Sequence, residues 1–209
     1  MKEYLKSEGR SNDKINPTVR SKIIFGIASA MSYMHHKCIA HGDLSLDNIF
    51  LDEHFEPKLI GFGITTSIST LIDITMLIGD SSYLAPEVFA GEELPSPFLP
   101  SDVYSFAIIL YKLFSSNKTQ FSDGKIARSR QQIMMKVSRG YRFKRTENIS
   151  DAYWELIQRC WSQDPDERPT FEEIVEELKD DKYAIKEFGM STNLDELHEF
   201  QQRIEKFYE

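Results

Sequence analysis

Apolar positions between residues 16 and 36 recur at helical spacing. Asn16 precedes Pro17, and this pair favours a helix start because Asn caps the first turn and Pro is tolerated at its first position. The stripe that this helix would bury consists of Ile24, Ile27, Ala28, Met31 and Met34. We therefore predict a helix from Pro17 to about His36.

Two short apolar runs, residues 49–51 and 58–60, flank a polar stretch at 52–57. This pattern predicts a small β-hairpin. Residues 101–114 are apolar almost all round, which predicts a helix packed on every side. That run is too short for a membrane span, and it contains Lys112.

The second half of the chain carries further helix signals. The first predicted helix lies near residues 131–138, after a polar stretch at 117–130. The second is capped by Ser150 and carries the core aromatics Trp154 and Trp161. A third helix begins at the capping box of Thr170 and Glu173, and the last helix is capped by Asn193. One face of the last helix carries Leu197, Phe200, Ile204 and Phe207. We expect that face to dock on the rest of the chain or on a partner.

Charge and cysteine usage narrow the function classes. A formal net charge of −8 opposes binding to nucleic acid or to an anionic membrane surface, because both need basic patches. Cys38 and Cys160 lie far apart and lack the spacing of metal ligands, so reduced thiols are expected. No secretory signal follows Met1. These features predict a cytoplasmic protein.

Several short motifs then follow one another in a fixed order. They are His41-Gly42-Asp43-Leu44-Ser45 with Asn48, Gly61-Phe62-Gly63, Ala85-Pro86-Glu87, and Cys160-Trp161 followed by Arg168-Pro169. An isolated His-Gly-Asp or Gly-Phe-Gly is usually a turn. Together they resemble the protein kinase family, whose pattern is His-Arg-Asp-Leu-Lys with Asn five residues after the Asp, then Asp-Phe-Gly, then Ala-Pro-Glu. The pattern of Cys160-Trp161 followed by Arg168-Pro169 is typical of the serine/threonine and tyrosine-kinase-like group.

The resemblance implies roles for the matching residues. Asp43 stands at the proton-acceptor position, and Asn48 stands at a position that binds metal and cofactor. Phe50 stands where a smaller residue commonly supports the adenine. A ring there would pack on a nucleotide or fill its space, and we expect it to pack in the core.

Other matching residues are structural in the family. Asp102 is expected to tether the backbone of the catalytic loop, and Glu87 and Arg168 are expected to form a buried ion pair. His41 and Phe62 belong to the same structural set. Their presence suggests that the scaffold of the fold is kept.

The departures from the pattern matter more for function. Gly61 replaces the metal-binding Asp, Ser45 replaces the phosphate-contacting Lys, Gly42 replaces the Arg, and Asp80 replaces a Thr. Phosphoryl transfer depends on metal ions and cations placed around the phosphates. Gly61 offers Mg²⁺ no oxygen, and Asn48 alone supplies a neutral carbonyl. We therefore expect that the protein binds no cofactor. Under the alternative that it is an active kinase, it would bind ATP and Mg²⁺.

Residues 64–82 match the family's activation loop and are rich in Ser and Thr. We expect a mobile polar loop, because Gly42 removes the usual cationic partner of a loop phosphate. Asp80, within this stretch, would place a second carboxylate near Asp43.

The resemblance covers residues 1–180 and implies a mainly helical fold: a kinase-like C-terminal lobe with a short hairpin at the cleft. Residues 181–209 would be an added, helical extension. Met1 to Leu5 resemble the segment just after the hinge, so the N-terminal lobe, with its Gly-rich loop and nucleotide-binding Lys, is expected to be absent from these 209 residues.

Three hypotheses about function follow. The first is a pseudokinase-type signalling module that binds a protein partner, either another kinase or a second copy of itself. The second is an ATP-dependent serine/threonine kinase, which requires a first lobe in a longer product and tolerance of Gly61. The third is a truncated gene product without function.

Overall fold

The computed structural model describes residues 16–61, 81–90, 99–115, 129–187 and 189–208. These residues are mainly helical. The helices are α1 (Pro17–His36), α2 (Pro86–Ala90), α3 (Pro100–Phe114), α4 (Arg130–Ser138), α5 (Asp151–Cys160), α6 (Phe171–Glu177) and α7 (Leu194–Tyr208). The strands form two antiparallel hairpins, β1 (Ile49–Leu51) with β2 (Pro57–Leu59), and β3 (Lys186–Glu187) with β4 (Met190–Ser191).

The chain divides into two compact units. The first unit contains α1, α6, α7 and both hairpins, and the second contains the loop Cys38–Ser45, Gly61 and the helices α2 to α5. Phe62, Gly63, Asp80 and most of the predicted loops at 64–82 and 117–130 lie outside the described residues.

Helix α1 is the centre of the first unit. Its predicted cap is confirmed, because the side chain of Asn16 accepts a hydrogen bond from the Val19 N–H at 2.9 Å. Four members of the predicted stripe are buried, whereas Met34 is half-buried. Helices α6 and α7 pack against α1. The ring of His35 meets Phe171 of α6 edge to face, so this histidine is a packing residue.

The predicted hairpin β1–β2 is confirmed, with Ile49 opposite Leu59 and Phe50 opposite Lys58. The expectation that Phe50 packs in the core is wrong, because its side chain is 55% exposed. Successive residues of a strand point to opposite faces, and here the buried side is taken by Ile49, which has no exposed surface. Phe50 therefore lies on the open face of the hairpin.

Helix α3 is the core of the second unit. It begins at Pro100, one residue before the predicted start, and buries nearly all of its side chains, as its apolar composition predicts. Phe114 packs on Tyr153 of α5 with ring centroids 4.7 Å apart, and Tyr111 stacks on Phe143 at 5.0 Å. Helix α4 begins at Arg130, close to the prediction, with Ser129 as its cap.

The C-terminal region carries the predicted helix caps at Thr170 and Asn193, and two features that the sequence did not predict. The capping box of Thr170 and Glu173 is present. The hairpin β3–β4 was not predicted, because strands of two residues are too short to show periodicity. Phe207 does not share the buried face of α7, since it is 79% exposed at the end of the helix. Among the described residues, no helix combines the length and apolar character needed to cross a membrane.

Candidate functional site

The loop Cys38–Ser45 is fastened to the start of α3 by Asp102. The two carboxylate oxygens of Asp102 accept hydrogen bonds from the backbone N–H groups of His41 and Gly42, at 2.8 and 2.9 Å. Asp102 is buried, and hydrogen bonds to an ionised acceptor are stronger than neutral ones. Within the loop, the Asp43 N–H donates to Nδ1 of His41 at 3.3 Å. The loop backbone is thereby held in one conformation.

Asp43 and Ser45 differ in their access to solvent. The side chain of Asp43 is exposed, whereas Ser45 is buried. A carboxylate at position 43 is able to accept a proton from a bound hydroxyl. The loop therefore presents a carboxylate at position 43, and position 45 holds a buried hydroxyl instead of a cationic side chain.

Asn48 and Phe50 lie in the first unit. Asn48 ends a short 3₁₀ turn, Leu46–Asn48, and its carbonyl accepts a hydrogen bond from the Ile60 N–H at 3.0 Å. This bond extends the pairing of β1 and β2 by one step. The half-buried Asn48 and the exposed Phe50 are thus carried by one hairpin.

Gly61 follows the hairpin and adopts a left-handed backbone, with φ of 78°. Glycine takes this conformation without steric cost, whereas most other residues do not. Position 61 contributes no side-chain donor atom. Phe62, which follows Gly61 in the sequence, and Asp80, which was expected near Asp43, lie outside the described residues.

The donor chemistry does not fit a magnesium ion held in the manner of active kinases. Mg²⁺ prefers carboxylate and phosphate oxygens, and position 61 offers none. Asn48 supplies a neutral amide oxygen only. Within the ranges that the structure describes, no three His, Cys, Asp or Glu side chains come together as ligands for a metal ion.

Glu87 and Arg168 meet in the second unit. The guanidinium of Arg168 donates to both carboxylate oxygens of Glu87, at 2.7 and 2.8 Å. It also donates to the carbonyls of Pro100 and Ser162. This set of bonds ties α2 to the start of α3 and to the turn after α5.

Tyr104 of α3 lies close to two guanidinium groups. Its ring is 5.3 Å from the carbon centre of the Arg168 guanidinium and 5.4 Å from that of Arg142. Burial raises the pKa of the Tyr104 phenol to about 12, and burial lowers the pKa of Arg142. The hydroxyl of Tyr104 makes no hydrogen bond to any described residue. Sequence reasoning missed this arrangement, because Arg142 belongs to no motif.

Lys112 was also missed as a contact residue. Its ammonium group donates to the Ser82 hydroxyl at 2.8 Å and lies 4.0 Å from the centre of the Tyr83 ring. Ser105, two turns earlier on α3, donates to the Tyr83 carbonyl at 2.8 Å. The turn Ser81–Tyr83, just before Ala85-Pro86-Glu87, is therefore held on α3. The signal in the sequence that could have indicated this contact is that Lys112 is the one cationic residue of the apolar helix α3.

Comparison with known proteins identifies the family. The protein kinase domain matches residues 1–201. A probable serine/threonine-protein kinase of Dictyostelium discoideum is 33% identical over 172 residues, which cover 82% of this chain and 12% of that relative. The chain therefore belongs to the protein kinase family.

Two further relatives widen the comparison. A dual specificity protein kinase, splA, of Dictyostelium discoideum is 31% identical over 79% of this chain and 7% of its own length. Atrial natriuretic peptide receptor 2 of Rattus norvegicus is 33% identical over 78% of this chain and 16% of its own length. The chain thus spans less than a quarter of the length of these curated relatives.

Proposed function

We propose that this chain is the C-terminal lobe of a catalytically impaired protein kinase, and that it serves signalling as an interaction module. The observation that carries the proposal is Gly61. Metal ions that bridge the phosphates supply much of the electrostatic stabilisation in phosphoryl transfer. A kinase that lacks the carboxylate at this position loses its main protein ligand for those ions.

Ser45 and Asp80 add to the impairment. The cation expected two residues after Asp43 is replaced by a buried hydroxyl. By its place in the sequence, Asp80 would bring negative charge towards Asp43 instead of a neutral hydroxyl. Both changes oppose the binding of a phosphate group.

The contacts of the scaffold support a binding role. Asp102 still fixes the loop backbone, and Arg168 still pairs with Glu87. A folded lobe that keeps its structural contacts while its catalytic groups change is suited to binding. We propose a protein partner, either another kinase or a second copy of this chain, in the cytoplasm.

The second candidate is an active serine/threonine kinase. Asp43 and Asn48 are both present, and two of the relatives above are named as kinases. The rat relative is named a receptor, so the names alone do not decide between the candidates. An active kinase would have to recruit its metal without a carboxylate at position 61.

Nucleotide binding separates the two candidates. Thermal melts of the protein in its natural full length, with millimolar ATP and with or without Mg²⁺, measure any stabilisation, because a ligand that binds the native state raises stability by RT ln(1 + [L]/Kd). The impaired module is expected to show no magnesium-dependent rise in melting temperature. A rise that disappears in Asn48→Ala would favour the active kinase.

A further inference from the structure

The C-terminal segment, residues 186–187 and 189–208, covers one side of α1 in the first unit. Leu197 and Phe200 of α7 are buried there, and Phe200 meets Phe25 of α1 edge to face with ring centroids 6.4 Å apart. Gln201 of α7 donates to the carbonyl of Leu178, which follows α6. Apolar packing thus joins α7 to α1, and a hydrogen bond joins it to the end of α6.

Polar contacts fix the same segment to the first turns of α1. One guanidinium nitrogen of Arg20 donates to both carboxylate oxygens of Glu187 at 2.6 Å, and both side chains are largely buried. The hydroxyls of Ser21 and Thr192 share a hydrogen bond of 3.0 Å. Such buried polar contacts define one alignment of the segment on α1, because a shifted alignment would leave them unsatisfied.

The segment also reaches the hairpin β1–β2 at a junction around Gly26. A Cβ atom at Gly26 would lie 2.7 Å from Cγ of Pro57 in β2 and 3.5 Å from the ring of Phe200. The absence of a side chain at Gly26 lets α1, β2 and α7 meet. Only glycine permits so close an approach, since real Cβ atoms essentially never come within 3.0 Å of another heavy atom in this way.

One ion pair joins α7 directly to the turn of the hairpin. Arg203 donates to the carboxylate of Glu56, the residue before β2. The carbonyl of Glu56 in turn accepts a hydrogen bond from the Asp52 N–H, which closes the hairpin turn. The hairpin is thus held from the side by Pro57 and at its turn by Glu56.

We propose that the C-terminal segment is a brace, acting within the same chain, that fixes the hairpin β1–β2 and with it the positions of Asn48 and Phe50. The brace acts through the Arg203–Glu56 ion pair and through the junction at Gly26. It links the C-terminal segment to the hairpin whether or not the protein transfers phosphate. Anything that draws α7 away from Glu56 would loosen the hairpin.

Hydrogen exchange measured by mass spectrometry tests the brace. In Arg203→Gln and in Glu56→Gln, the amides of residues 49–60 are expected to exchange about two- to fivefold faster than in the unaltered protein, the factor that corresponds to a partly exposed ion pair. Lys206→Gln removes an exposed cation from the same helix and should leave the hairpin unchanged. Glu56 also pairs with Lys58, and Arg203 also lies over the ring of Phe200, so each single variant removes one further contact. The effect of the double variant should therefore be smaller than the sum of the two single effects, because both variants remove the same Arg203–Glu56 pair.

Gly26→Ala provides a second route that leaves the charges intact. The added methyl group would displace Pro57, so faster exchange of residues 49–60 is expected even though Ala favours α1 more than Gly does. Unchanged hairpin exchange in Arg203→Gln and Glu56→Gln would overturn the proposal. An equal rise in residues 103–114 of the second unit would also overturn it, because that result indicates a general loss of stability.

Discussion

The Arg168 guanidinium makes paired hydrogen bonds with the carboxylate of Glu87, at 2.7 and 2.8 Å, and the Arg168 side chain has no exposed surface. Planar pairing of this kind is specific to arginine. Because both partners are buried, removal of one partner is expected to lower the free energy of unfolding strongly. Loss of Arg168 would leave the Glu87 charge buried without compensation.

Arg168→Ala is therefore expected to lower the free energy of unfolding by about 3–5 kcal/mol. Urea denaturation of the variant and of the unaltered protein measures the change. Arg139→Ala, at an exposed arginine, is the control and should change stability by less than about 0.5 kcal/mol. A loss below about 1 kcal/mol for Arg168→Ala, as for an exposed pair, would contradict the structural role assigned here.

Two buried tyrosines of α3 form a matched pair for a second prediction. The Tyr111 hydroxyl donates to the Lys144 carbonyl at 2.8 Å, whereas the Tyr104 hydroxyl makes no hydrogen bond to the described residues. Tyr111→Phe should cost about 1 kcal/mol, and Tyr104→Phe should be neutral or stabilising by up to about 1 kcal/mol. Urea denaturation at neutral pH measures both. A clear loss in Tyr104→Phe would show that its hydroxyl is bonded.

The same tyrosines predict an alkaline limit to stability. Burial raises the pKa of both Tyr104 and Tyr111 to about 12, against about 10 in an unfolded chain. The folded state then binds more protons than the unfolded state between these values, so stability falls as the pH rises from about 10 through 12. Tyr104→Phe should reduce the slope of stability against pH in this window. An unchanged slope would mean that Tyr104 titrates normally in the folded protein.

Local chemistry explains which parts of the fold were predictable. The caps at Asn16 and Thr170 involve residues three positions apart, so the sequence displays them directly. The contacts of Tyr104 with Arg142 and of Lys112 with Ser82 join residues that are distant in sequence, and neither belongs to a motif. Such contacts arise from tertiary packing and leave no local pattern.

The candidate site was predictable only where the motif itself defines a position. Asp102 and His41 could be paired through the family pattern. The exposure of Phe50 could not be predicted, because alternation along a strand of three residues does not reveal which face is covered.

Self-association is expected because the hairpin exposes two large apolar side chains on the face that also carries Lys58. Phe50 is 55% exposed and Ile60 is 44% exposed, and the alternation of the strands places both on one side. Sedimentation of the 209-residue chain should detect dimers or larger species that Phe50→Ser weakens. Met135→Ser, at an exposed methionine of α4, is the control. A stable monomer that binds no hydrophobic dye would contradict this prediction.

Restoring one catalytic residue should not restore activity. Gly61→Asp places an aspartate at a φ of 78°, which Asp tolerates at a cost of about 1 kcal/mol, so the variant should fold. The variant would still have Ser45 in place of the cation and Asp80 in place of the Thr of the family pattern. Catalytic groups act as a unit, and repair of one among several recovers little. The test is transfer of labelled phosphate from ATP by the Gly61→Asp variant. Transfer that is lost when Asp43→Asn is added to this variant would show that Gly61 is the single defect.

The measurement that tests catalytic impairment most directly is phosphoryl transfer by the natural full-length protein. Labelled ATP, Mg²⁺ and a generic protein substrate are supplied to the unaltered protein and to Asp43→Asn, which removes the proton acceptor. If catalysis is impaired, incorporation of label is the same in both proteins and does not exceed background. Incorporation by the unaltered protein that disappears in Asp43→Asn would contradict catalytic impairment and establish an active kinase.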